Sequence, residues 1–146
     1  MLGALLGIPF QAVIEHTHAA LRTAGYHDLT RSHLVFFQYL PPEGDRLTGL
    51  AEAAQLTKQS MGYLADFLQS GGYIERVPDP NDRRARLILL TEKGRHVERI
   101  ARQAIAELTA EWAEHVGRER MHELEATLQL LVELLASTGA RNHAKP

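Results

Sequence analysis

The stretch LTKQSMGYLADFLQ brings Lys58, Gln59, Ser60 and Tyr63 within six positions. An ammonium group neutralises a phosphate, an amide and a hydroxyl exchange hydrogen bonds with base edges, and a tyrosine ring packs on a thymine methyl. Further on, DPNDRR adds Asp79, Asp82, Arg83 and Arg84. This is the chemistry of recognition, not of bond-making. The chain contains no GxSxG, no phosphate-cradling glycine loop and no obvious acid–base pair, so an enzyme is not expected. Eight histidines raise the question of a metal. His16 and His18 are two apart and point different ways on a helix, and His96, His115 and His122 show no HExxH spacing. Surface or hydrogen-bonded histidines are the expectation, with no metal site and no cofactor.

The elements that must position these side chains are legible around them. Thr48 can cap a short helix carrying Leu50, Ala53 and Ala54, with Gln55-Leu56 as the turn that ends it. Thr57 can cap a second helix, its hydroxyl accepting from an otherwise unpaired backbone N–H. Met61, Leu64, Ala65 and Leu68 recur at helical spacing and mark its buried face. The opposite face then carries Lys58, Gln59, Ser60, Gly62, Tyr63 and Asp66, as a helix lying in a major groove requires. Gly71-Gly72 closes the helix. Tyr73 to Val77 and Arg86 to Leu90 alternate like strands. The connection from Pro78 to Ala85 is longer than the usual hairpin loop of about 2–5 residues, so a protruding charged wing is expected. The fold class is therefore mainly α: a winged helix-turn-helix with a two-stranded β-wing.

LTGLAEAAQLTKQSMGYLADFLQSGGYIERVPDPNDRRARLILLTEKGR resembles the DNA-binding core of the MarR family of bacterial transcription regulators. The likeness is densest at LTKQS, GGYIERVPDPNDRR and LTEKG. It implies that Thr57, Lys58, Gln59, Ser60 and Tyr63 face the major groove. It further implies that Arg84 enters the minor groove, that Asp82 orients it, and that Arg83 meets a phosphate. Flanking dimerisation helices, a palindromic double-stranded DNA operator and a small-molecule effector are implied as well. The resemblance suggests an aromatic carboxylate or phenol-like effector in a cleft beside the winged lobe, with His33 and Phe37 as candidate lining residues. Repression relieved by ligand is expected over activation. Two alternatives stand beside this: a winged helix serving protein–protein contact without DNA, and a regulator sensing metal through histidine.

Bulk composition bounds the rest. A chain of 146 residues, 45% hydrophobic, is one domain with length enough for a core. No apolar run reaches membrane-spanning length. MLGALLGIPF lacks a basic start and a cleavage site, so a cytoplasmic protein without a signal peptide is expected. The absence of cysteine excludes disulfides, thiolate metal sites and thiol redox sensing. Net charge is −2, yet residues 57 to 95 carry seven basic against five acidic side chains, so positive charge gathers where DNA would lie.

The expected division is residues 1–40 as N-terminal supporting and dimerisation helices, 41–91 as the winged lobe, 92–138 as C-terminal dimerisation helices and 139–146 as a flexible tail. Pro9 to Thr23 reads as an amphipathic helix closed by Gly25. Thr30 can cap a helix from Arg31 to Tyr39, stopped by Pro41-Pro42. Thr91 opens a long helix to about Val116, with Trp112 expected in the core, and Gly117 breaks it. Met121, Leu124, Leu128, Leu131 and Leu135 then repeat at spacings of three and four, while Leu130, Val132 and Leu134 load other faces. A terminal helix apolar on several sides calls for a second subunit to cover it.

Overall fold

The computed structural model describes residues 1–143, with side chains as far as Thr138. Helix α1 spans Leu2–Thr23, seven residues earlier than the proline suggested, and Pro9 lies inside it. Leu2, Ala4, Leu5 and Leu6 are strong helix formers, and the hydrogen bond that Pro9 cannot donate is a single local loss. Ile14, Thr17 and Leu21 face inward, and the Thr17 hydroxyl donates to the Val13 carbonyl at 2.8 Å. Helix α2, Arg31–Tyr39, starts after Thr30 and stops before the two prolines, as the sequence predicts.

Helix α3 spans Leu47–Ala53, with Arg46 rather than Thr48 at its cap. The reason is long-range. Asp45 pairs antiparallel with Ile88, its N–H donating to the Ile88 carbonyl at 3.2 Å and its carbonyl accepting at 2.8 Å. That pairing holds the chain extended up to Arg46, so Thr48 falls inside the first turn. Gln55 turns the chain with φ +54°, and the Leu56 N–H returns to the Ala51 carbonyl at 2.9 Å.

Helix α4, Lys58–Ser70, is capped as expected: Thr57 Oγ1 accepts from the Ser60 N–H at 3.0 Å. Met61, Ala65 and Leu68 are fully buried. Gly72, at φ +76°, makes the left-handed step into the hairpin.

Strands β1 (Ile74–Asp79) and β2 (Asp82–Leu90) pair antiparallel, Ile74 opposite Leu90 and Val77 opposite Leu87. The wing is thus a longer ribbon with a tighter tip than expected. Residues read as loop from Pro78 to Ala85 are mostly strand, and only Pro80 and Asn81 make the turn. Side chains replace missing ladder bonds there: Asp79 accepts from the Asn81 N–H at 2.9 Å and Asp82 from the Arg84 N–H at 3.0 Å. The register shifts by a bulge between Pro78 and Asp79.

Helix α5, Glu92–Val116, opens at Thr91, whose hydroxyl accepts from the Gly94 N–H at 3.1 Å and donates to the Gly72 carbonyl at 2.6 Å. The core of the first compact unit, Met1–Ile105, joins α1 to α5 through Leu21, Phe36, Leu50, Met61, Tyr73, Ile88 and Val97. Tyr73 is the bulkiest of them. Its hydroxyl donates to Asp28 at 2.7 Å, and the Lys93 ammonium sits 4.1 Å above its ring. Burial, reinforced by that carboxylate, pushes the phenol well above its ordinary range.

The second unit begins at Ala106 and holds the end of α5 and helix α6, Arg118–His143. Gly117, at φ +101°, separates the two helices, and Trp112 is half-buried. The tail expected from residue 139 is helical as far as His143; residues 144–146 lie outside the described residues. Among the described residues no helix is long and apolar enough to cross a membrane.

Candidate nucleic-acid interface

Capping by Thr57 fixes which side chains of α4 face outward. Its hydroxyl accepts from the Ser60 N–H and donates to Ser60 Oγ at 2.9 Å, so Thr57 shapes the helix start and keeps one acceptor lone pair free. Lys58, Gln59 and Ser60 are exposed, and Tyr63 is 68% exposed. Gln59 Nε2 lies 3.5 Å from the Tyr63 hydroxyl, one turn along the same face. Asp66 belongs to a structural pair: it meets Arg76 at 2.9 Å, and Arg76 also bonds Gln69, which ties α4 to β1.

The hairpin presents Arg83 and Arg84 as exposed side chains next to the turn, neither in an ion pair among the described residues. Asp82 acts on Arg84 through the backbone N–H, and its other oxygen lies 3.9 Å from Arg46. Between the start of α4 and the wing runs a groove of about 380 Å³ walled by Arg46, Lys58, Arg76 and Arg86, with Leu47, Thr48 and Ala85 completing its lining. Four cations therefore line one channel shared by the exposed helix and the ribbon. Arg46, Arg76 and Arg86 were not among the expected contact residues. No local spacing marks them, because the fold alone brings residue 46 against the hairpin.

A second concavity lies among α1, α2 and α5. A cavity of about 320 Å³ is walled by Val13 and Ile14 of α1, Leu34 and Phe37 of α2, and Ala101 and Ile105 of α5. Arg102, ion-paired with Glu98, stands at its edge. Phe37 is thus a wall of this cavity, whereas His33 is spent elsewhere. His33 is buried, its Nδ1 accepts the Thr30 N–H at 2.9 Å, and its ring stacks on Phe67 of α4. That acceptor role requires an unprotonated Nδ1, and burial holds the imidazole pKa below its ordinary 6.5 against the opposing pull of Asp28. Among the described residues no three His, Asp or Glu side chains gather as a metal ion would need.

A helix pair, a two-stranded ribbon and a cation-lined channel between them define a winged helix-turn-helix protein. Residues 27–85 match the MarR family. It is 30% identical over 86 residues to the transcriptional activatory protein BadR of Rhodopseudomonas palustris, covering 59% of this chain and 48%, about half, of that protein's length. Its fold superposes on CouR of Rhodococcus jostii RHA1 bound to p-coumaroyl-CoA with a TM-score of 0.70, at 26% identity over 89% of this chain and 90% of that one. It also superposes on Streptococcus pneumoniae FabT in complex with DNA, with a TM-score of 0.73 at 20% identity over 94% and 96% of the two chains.

Proposed function

We propose that this chain is a dimeric, sequence-specific DNA-binding transcription regulator of the cytoplasm, acting as a repressor that a small molecule releases. The observation that carries this reading is the shared channel: Lys58 at the head of α4 and Arg86 on the wing wall the same groove. A duplex seated there meets the exposed side of α4 in its major groove while the ribbon tip reaches the neighbouring minor groove. Gln59, Ser60 and Tyr63 supply base-edge and methyl contacts, Lys58 and Arg83 phosphate contacts, and Arg84 reads a narrow, A·T-rich minor groove. The DNA complex of FabT supports the placement by fold alone.

The dimer is inferred from uncovered apolar surface. In α1, Leu2, Leu5 and Ile8 are each more than 60% exposed, and in α6 so are Leu130 and Leu135. A twofold pair of recognition helices then reads two half-sites about 10 base pairs apart. The cavity walled by Phe37 is the effector site. Its walls are apolar and it suits an aromatic ring, as the p-coumaroyl-CoA complex of CouR suggests by analogy. A ligand there bears on α2, which is stacked on α4 through His33 and Phe67, and so shifts the spacing of the two recognition helices.

Selection of bound duplexes from a random pool tests the reading. An enriched palindrome whose affinity falls with salt is the expected result; binding that ignores salt or sequence refutes it. Release of that duplex by p-coumaroyl-CoA, abolished in Ala101→Phe with DNA affinity retained, assigns the cavity. Transcription from a promoter carrying the selected site gives the sign of regulation, which BadR, an activator by name, shows is not uniform among relatives.

A further inference from the structure

We infer that Arg46 is a positioning residue for the wing, the tether that fixes where Arg84 lies relative to the recognition helix. The inference rests on the DNA-reading proposal above. Arg46 is the cap residue before α3, yet its guanidinium leaves that helix and donates through Nε to Asp79 at 2.8 Å. Asp79 retains only 7% exposure, in a ribbon tip whose other side chains from Pro80 to Arg84 are exposed. A buried carboxylate needs partners, and Asp79 has two: the guanidinium, and the Asn81 N–H at 2.9 Å that forms the tip.

The same guanidinium stands 3.9 Å from Asp82, whose other oxygen holds the Arg84 N–H at 3.0 Å. Both side chains that shape the tip therefore meet one arginine anchored at the foot of α3. The bulge between Pro78 and Asp79 breaks the strand's alternation at the residue that Arg46 grips. A second tether acts nearer the base of the ribbon, where Ile88 is paired with the backbone of Asp45. A two-stranded ribbon alone is flexible and only marginally stable, and here its base and its tip are both tied to consecutive residues. The wing and the helix pair thus move as one reading head.

A direct phosphate contact by Arg46 is the competing role, and the two separate cleanly. Affinity is measured for duplexes whose A·T-rich flank is intact or replaced by G·C, in wild type, Arg46→Ala, Arg46→Lys and Arg84→Ala. Tethering predicts that Arg46→Ala lowers flank discrimination about tenfold while half-site discrimination stays. It also predicts that the Arg46→Ala/Arg84→Ala double variant is no worse than Arg84→Ala alone, because both remove one interaction. Uniform loss on every duplex with a salt slope reduced by about one, rescued by lysine, overturns tethering in favour of a phosphate contact.

Hydrogen exchange at the Asn81 and Arg84 amides supplies a readout without DNA. Both should speed up at least tenfold in Arg46→Ala and in Asp79→Asn, with the circular dichroism of the helices unchanged. Unchanged exchange overturns the tether whatever the duplexes do. Failure of the wild type to bind any duplex refutes the DNA-reading proposal, and the exchange result then decides the tether by itself.

Discussion

His33 lies flat on Phe67, ring centroids 4.2 Å apart and planes 13° from parallel, so α2 is stacked directly on the exposed-face helix α4. The same imidazole caps its own helix through Thr30. A neutral ring serves both contacts, and burial keeps it neutral. Its folded pKa is depressed, so at acid pH the unfolded chain binds more protons than the folded one. The stability His33 contributes is then complete above the unfolded value of 6.5 and lost as pH falls through the folded value. Denaturant titrations between pH 8 and pH 5 should show this decline. His33→Phe, which keeps the stack but loses the Thr30 bond, should be about 1 kcal/mol less stable at pH 8 and flatter toward acid. An equal acid slope in both proteins would remove His33 from the account.

Arg84→Ala should weaken operator binding about tenfold or more and leave thermal stability within about 0.5 kcal/mol, because the side chain is exposed and only its backbone N–H is bonded within the ribbon tip. Anisotropy titration against a melting curve separates the two effects.

Two glycines make opposite predictions. A Cβ on Gly94 would collide with the Tyr73 carbonyl where α5 crosses the start of the hairpin, so Gly94→Ala should cost about 1–3 kcal/mol or more. A Cβ on Gly62 would meet only Leu47 Cδ2 at 3.8 Å, ordinary contact, so Gly62→Ala should stabilise α4 by about 0.5–1 kcal/mol. Should the stabilised Gly62 variant lose DNA affinity, the duplex backbone approaches α4 at that position.

Leu131→Glu combined with Leu135→Glu places two charges on the exposed apolar face of α6, where these leucines are 43% and 69% exposed. Sedimentation should shift from dimer to monomer, since burying each leucine is worth about 1.5–3 kcal/mol. A monomer by this measure that still binds the full palindrome with wild-type affinity would refute the dimer.

The parts legible in the sequence are those governed by neighbours. Thr57 caps α4 through a hydroxyl three residues from its donor, and Met61, Ala65 and Leu68 bury by periodicity alone. What escaped depends on distant partners or on side chains that stand in for backbone bonds. Thr48 lost the α3 cap because Asp45 pairs with Ile88, and the wing was read as a long loop because aspartates at 79 and 82 stand in for ladder bonds. His33 was placed at an effector cleft on the resemblance, and its capping role went unread because histidine at the third helical position is not the glutamate of a usual capping box. Arg46 carried no signal, its partner being thirty-three positions away.

The leucines left bare at the head of α1 reach beyond DNA. In the proposed dimer, a subunit released by dilution would show Leu2, Leu5 and Ile8 to the cell as a misfolded chain does, and chaperones and proteases act on such surfaces. Copy number would then set half-life: scarce subunits would be cleared and abundant ones would persist in pairs, so turnover would sharpen the threshold concentration at which the proposed operator is occupied.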